Sequence, residues 1–141
     1  MNLVDANVLI YAVNESDPKH LAARTWLDEA LNAPSVVGFS WTVLLAFLRL
    51  TTKVGLHPDP LTTTAALDIV DAWLAQPSSV VVEPTVRHPA VLRALLSEHG
   101  TGGNLTSDAH LAALAVEHGA TVVTFDADFA RFAGVPWRRP S

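Results

Sequence analysis

Four short apolar runs, Met1–Val4, Ser35–Phe39, Val80–Glu83 and Thr121–Phe125, recur along the chain with helix-patterned stretches between them. The runs are continuous and largely β-branched, not alternately polar and apolar. Strands of that kind are buried on both faces, which is the condition of a parallel sheet. Parallel neighbours cannot be joined by a tight turn; each pair needs a crossover, usually a helix. The pattern therefore commits the chain to a three-layer α/β/α fold with a central, mainly parallel sheet. At 141 residues it is expected to form one core, a single domain over 1–141.

The intervening stretches supply the helices. Ala6–Val13 directly follows the first strand. His20–Leu31 places Leu21, Trp26, Leu27 and Leu31 on one face. Trp41–Thr52 is strongly apolar, and Thr62–Ala75 turns Leu67, Val70 and Leu74 inward before Pro77. Pro89–His99 is expected to end at a Gly100 cap, and Thr106–His118 at Gly119 in the left-handed conformation. Asn14–Lys19, with Pro18, and Lys53–Pro60 read as loops, Thr101–Asn104 as a glycine-rich connection, and Asp126–Asp128 as a polar turn after a final core strand.

Half of the side chains are hydrophobic and 16% are charged, which excludes intrinsic disorder. Cysteine is absent, so disulfides and thiolate metal sites are excluded. The net charge is -5, so no global basic field marks a nucleic-acid binder. A polyanionic ligand would need local arginines or a bound cation. The opening MNLVDANVLIYAV lacks a basic leader and carries Asp5 within its apolar stretch, and so does not read as a signal peptide. The uncharged run from Leu31 to Leu48 includes Asn32, Pro34, Gly38 and Ser40, and reads as strand, turn and helix start rather than a membrane span. A soluble, cytoplasmic protein with no membrane contact is expected.

The chemistry-bearing residues are carboxylates. Asp5 follows the first strand and Asp126 the last predicted one, and the carboxyl ends of parallel strands form the ligand-binding rim of such sheets. Asp108 falls in the first turn of a helix, where the dipole favours a negative charge; by itself it could be an ordinary N-terminal acid. Asp126 and Asp128 could equally be a turn-forming pair. Asp5 has no Lys or Arg within the first 18 residues to compensate its burial. If these acids converge, the cluster needs raised pKa values or a cation, and oxygen ligands suit Mg²⁺ or Mn²⁺. The histidines show no metal-binding spacing: His110 and His118 share a helix but stand too far apart for one metal, and His118 reads as a cation at the helix end. GxSxG, GxGxxG and P-loop patterns are missing.

LVDANVLIYA at the start, GFSWTVLLAFLRLTT in the middle and TSDAHLAALAVEHGATVVTFDADFARF near the end together resemble a PIN domain. More narrowly, they resemble the VapC-like toxins of bacterial type II toxin–antitoxin pairs. The resemblance implies an endoribonuclease whose acidic pocket holds Mg²⁺, with Mn²⁺ as substitute. Partners implied are RNA, a cognate VapB-like antitoxin and a second copy in a homodimer. It places the family's catalytic and metal-binding acids on Asp5, Asp108 and Asp126, with Asp128 as a further metal candidate and Asn7 and Thr106 in support. Arg49, Arg87, Arg93 and Arg131 are candidates for gripping RNA.

One departure stands out. Most such toxins carry a glutamate shortly before the arginine matching Arg49, which falls here on Leu44 or Ala46, both apolar. The expected site is weaker or single-metal. The competing readings are a PIN-like domain that binds RNA or antitoxin without cutting, and a Mg²⁺ phosphatase. The phosphatase is disfavoured because no DxD follows the first strand.

Overall fold

A computed structural model describes residues 1–56, 59–99, 103 and 105–141. Five strands form one sheet: β1 (Asn2–Val4), β2 (Val37–Phe39), β3 (Ser79–Val81), β4 (Thr121–Val123) and β5 (Trp137–Arg138). Their order is β3-β2-β1-β4-β5, and every pairing is parallel. Six helices accompany them on both faces: α1 (Ala6–Val13), α2 (His20–Asn32), α3 (Trp41–Thr52), α4 (Thr63–Leu74), α5 (His88–Ser97) and α6 (Leu105–His118). A 3₁₀ turn over Ala127–Arg131 precedes β5.

The sheet's centre is the driest part. Leu3, Val4, Val37, Phe39, Val122 and Val123 are fully enclosed, as continuous apolar strands require. β1 lies between β2 and β4, with Asn2, Leu3 and Val4 opposite Thr121, Val122 and Val123. That register brings the residues after β1 and β4 to one rim, which is what positions Asp5 and Asp126 together. Gly38 in β2 is demanded by packing: a Cβ there would lie 2.7 Å from Cγ2 of Val82. Gly119 ends α6 with φ +63, the left-handed cap expected of it. Trp73 of α4 packs against Phe47 of α3 at a ring distance of 4.9 Å and stacks on Phe39 at 6.3 Å, which joins the second helix layer to the sheet.

Several expectations need correction. Thr121–Phe125 is not the final strand, because the two-residue β5 pairs beyond it, held by Val122 N–H to Pro136 O and Thr124 N–H to Arg138 O. Val80 and Val81 lie on the exposed edge strand β3; only Val82, just past it, is buried. Leu21 is 74% exposed and Leu67 45% exposed, so neither faces the core. The Gly100 cap, the Thr101–Asn104 connection apart from Gly103, and the His57–Pro58 part of the Lys53–Pro60 loop lie outside the described residues. Among the described residues, no helix is long and apolar enough to cross a membrane.

Candidate active site

Asp5 is the first residue past β1 and the N-cap of α1, and one of its oxygens accepts from Ala6 N–H at 2.7 Å. Its other oxygen accepts from the Thr124 hydroxyl at 2.9 Å and more weakly from Asn7 Nδ2 at 3.3 Å. Asn7 spans the two strand ends. Its Nδ2 also donates to Thr124 Oγ1 at 2.9 Å, and its Oδ1 accepts from Phe125 N–H at 3.0 Å. Asp126 N–H donates to the same Thr124 oxygen, and Asp126 Oδ1 accepts from Asp128 N–H, opening the 3₁₀ turn. Thr124 is fully buried at the hub of this network.

Asp108, in the first turn of α6, completes the group. It shares a cavity of about 650 Å³ with Asp5, Thr42, Ala46, Arg49 and Ser107. Among the described residues nothing donates a hydrogen bond to its carboxylate, and its pKa is pushed up to about 6. Burial is the main cause; Asp5 and Asp126 add repulsion, Arg131 partly offsets it, and Asp128 contributes least. The pKa of Asp5 is also raised, by burial first, against the pull of Thr124 and Ala6 N–H, with Asp126 adding to the rise. These acids therefore feel one another across the rim.

A PIN-domain family model matches residues 3–135 of the chain. The chain belongs to the PIN-domain family. Within it, the chain falls among the VapC-like toxins. It is 56% identical to Ribonuclease VapC37 of Mycobacterium tuberculosis over 140 residues, 99% of this chain and 97% of that one. It is 41% identical to Ribonuclease VapC25 of the same organism, over 99% of both chains. In fold it matches VapBC2 from Rickettsia felis bound to a promoter DNA fragment, with a TM-score of 0.72 at 16% identity, over 99% of this chain and 98% of that one. It also matches the sarcin–ricin loop cleaving toxin VapC20 of M. tuberculosis, with a TM-score of 0.69 at 22% identity, over 96% of both.

On this PIN-domain frame, Asp5 and Asp108 line one cavity with Arg49, while Asn7 contacts Asp5 and Asp126 joins it through the Thr124 hydroxyl. Asp128 and Arg131 also gather here, joined in an exposed ion pair at 2.9 Å. Thr106 is exposed and does not line the cavity; its neighbour Ser107 does. Arg87 and Arg93 are not brought in. Arg87 donates to the Glu117 carbonyl near the far end of α6, and Arg93 is exposed on α5. Of the two positions for the family glutamate, Ala46 lines the cavity whereas Leu44 is wholly buried.

Thr124 is a site residue that no motif marks; its one signal in the sequence is a hydroxyl in an otherwise apolar run two residues before Asp126. A polar network away from the acids is likewise unmarked in the sequence. His88 bridges Glu117 and His110, with Nε2 to Nδ1 of His110 at 3.0 Å, and Glu117 accepts from Thr85 N–H and hydroxyl. Burial and the neighbouring His88 lower the pKa of His110, with Glu117 opposing them. His118, in the last turn of α6 as expected, contacts the Glu83 carbonyl through its Nε2.

Among the described residues no three His, Asp or Glu side chains stand close enough to make a ready-made coordination sphere. The donor chemistry nonetheless suits a hard divalent cation. The ligands on offer are carboxylate oxygens, Asp108 accepts no hydrogen bond among the described residues, and the group is destabilised by its own charge.

Proposed function

We propose that this chain, one PIN domain over 1–141, is a divalent-metal-dependent endoribonuclease and the toxin of a VapBC-like pair. The observation that carries the reading is that Asp5 and Asp108 share one cavity, with the Asp108 pKa pushed up to about 6 by burial and by the charges of Asp5 and Asp126. The names of the VapC37 and VapC25 relatives as ribonucleases support it.

Mg²⁺, or Mn²⁺ in its place, would be held by Asp5, Asp108 and Asp126, with Asp128 as an outer candidate. When bound it would neutralise charge on the scissile phosphate and make water a better nucleophile. The chain's own residues do the positioning. Thr124 and Asn7 fix the Asp5 carboxylate and tie it to the backbone before Asp126. Asp108 offers a carboxylate without hydrogen-bond donors among the described residues, so it is available as ligand or proton acceptor. Arg49 borders the cavity as a phosphate contact, and Arg131 lies against Asp128.

A VapB-like antitoxin and a second copy of the chain are the proposed partners, in a cytoplasmic setting. An apolar groove lined by Leu45, Leu48, Arg49, Thr52, Thr63 and Leu67 shares Leu45 and Arg49 with the acidic cavity. It supports a covering partner next to the site. A second reading, RNA or antitoxin binding without cleavage, is favoured by Ala46 alone, which stands at the cavity wall where an acid is usual.

The test is incubation of purified protein with RNA in EDTA, Mg²⁺ and Mn²⁺. Metal-dependent internal cleavage, abolished in Asp5→Asn and Asp108→Asn, is the expected result. Intact RNA under all three conditions would overturn the nuclease reading in favour of the binding one.

A further inference from the structure

One residue before Asp126 in the chain, Phe125 belongs to an aromatic pair with a cation that the proposed chemistry leaves unused. Phe125 lies between Thr124 and Asp126 in the chain, and its N–H is fixed to Asn7. Tyr11 stands one helical turn past Asn7 on α1, so both face the same way. The two rings meet edge to face, 5.4 Å apart, and both are partly open to solvent. The Lys19 ammonium lies over them, 5.2 Å from the Tyr11 ring and 5.9 Å from that of Phe125.

Three features distinguish this from a lysine stem draped over a surface. The backbone holding Lys19 is fixed: Lys19 N–H donates to Asp17 Oδ1 at 2.8 Å, and the next residue, His20, contacts the Tyr11 carbonyl through Nδ1 at 2.8 Å. The ammonium has no carboxylate partner among the described residues, whereas Arg24 and Arg131 pair with Asp28 and Asp128. Its hold on the rings is a weak, exposed attraction that a phosphate outcompetes. Finally, Phe125 is tied to the acids through the chain, directly before Asp126 and with its N–H on the Asn7 that also contacts Asp5, and next to acids that repel a polyanion a cation and a stacking surface are what a nucleic acid needs.

We propose that Tyr11, Phe125 and Lys19 form a nucleotide subsite beside the carboxylates: an unpaired base stacks on the aromatic pair and Lys19 takes the adjoining phosphate. The ligand class is single-stranded RNA next to the scissile bond, so the inference rests on the ribonuclease reading. With Arg49 at the cavity wall, the strand gains a basic contact at the cavity and another over the ring of Phe125, the residue before Asp126.

The experiment uses the full chain carrying Asp108→Asn and fluorescence anisotropy of a labelled single-stranded RNA oligonucleotide across a salt series. Adding Lys19→Gln should weaken binding severalfold and flatten the log–log salt slope by about 0.7, the loss of one single-strand phosphate contact. Adding Phe125→Leu should weaken it about tenfold, the scale of one lost base stack. Walking an abasic nucleotide along the RNA should reveal one position where base loss weakens binding to the parent but not to the Phe125→Leu protein. If Phe125→Leu fails to fold, Lys19→Gln and the abasic walk on the parent decide. RNA binding by the parent with unchanged affinity and slope in Lys19→Gln and no sensitive abasic position overturns the subsite and leaves the nuclease reading standing. Absence of RNA binding by the parent at low salt overturns both.

Discussion

Asp108→Asn should stabilise the fold at neutral pH while removing the acid on which the proposed chemistry depends. Asp108 has its pKa raised from 3.8 to about 6, so the folded state binds that proton more tightly than the unfolded chain does. The stability this group contributes is complete below about pH 4 and is lost as pH rises through about 6. At pH 7 the carboxylate is charged and repelled by Asp5 and Asp126; asparagine is neutral at every pH. Two pKa units set an upper bound of about 3 kcal/mol. The side chain is only half-buried and solvent screens it, so about 1 kcal/mol is the working figure. For 141 residues that is a rise in Tm of roughly 3–4 °C. The assay is thermal melting of both proteins in EDTA from pH 4 to 8. The gap should be near zero at pH 4, open between pH 4 and 6, and stay constant above. Added Mg²⁺ should narrow it at pH 7, because a ligand bound by the folded wild type stabilises that protein by mass action. A variant melting at or below wild type at every pH would refute the claim that Asp108 sits in a repulsive cluster.

The remaining expectations concern packing and partners. Ala46→Glu should leave folding intact and lower the metal concentration needed for RNA cleavage, whereas Leu44→Glu buries a charge at a wholly enclosed position and should unfold the chain or cost several kcal/mol; unchanged metal dependence in a folded Ala46→Glu protein would count against Ala46 as the vacated position. Gly38→Ala should cost about 1–3 kcal/mol in denaturant melts, because Cγ2 of the stiff Val82 lies 2.7 Å from the added methyl; a neutral result would show that β2 shifts freely. Leu45 and Leu67 are each at least 45% exposed in the apolar groove and Trp41, one turn before Leu45 on α3, is 45% exposed, so light scattering at micromolar concentration should give twice 15.1 kDa, and a monomer would remove the homodimer.

What the sequence displayed well was whatever hydrophobic periodicity controls. α1 and α3 follow the expected bounds, and β1 and β4 meet at the predicted rim, because buried parallel strands and one-faced helices leave that periodicity in the residue order. β5 left no such trace: it is two residues long, includes Arg138, and is held by backbone hydrogen bonds that any side chains could accompany. Leu21 was misplaced for a geometric reason. Five residues before Trp26, it lies about 140° around the helix from it, outside the buried face. Leu67 is exposed because it forms the groove wall with Leu45 and Leu48 instead of entering the core. Asp5 and Asp126 stood out because charge is costly at the end of an apolar strand, whereas Asp108, an ordinary first-turn acid of a helix by itself, was marked only by the resemblance to PIN domains. Thr124 did not stand out, because a threonine in a strand is ordinary and only the third dimension turns its hydroxyl toward Asp5. The glutamate's vacated place is the sharpest case. Leu44 and Ala46 are equally apolar, and no composition argument separates them. The phase of α3 does: Thr42, Ala46 and Arg49 fall on one stripe along the cavity, while Leu44 and Phe47 fall on the buried face. The departure from the family pattern is therefore a small side chain at the cavity wall. It leaves the core intact and leaves room where the resemblance expects a carboxylate, so under the proposed metal-dependent reading its consequence would fall on metal affinity and not on folding.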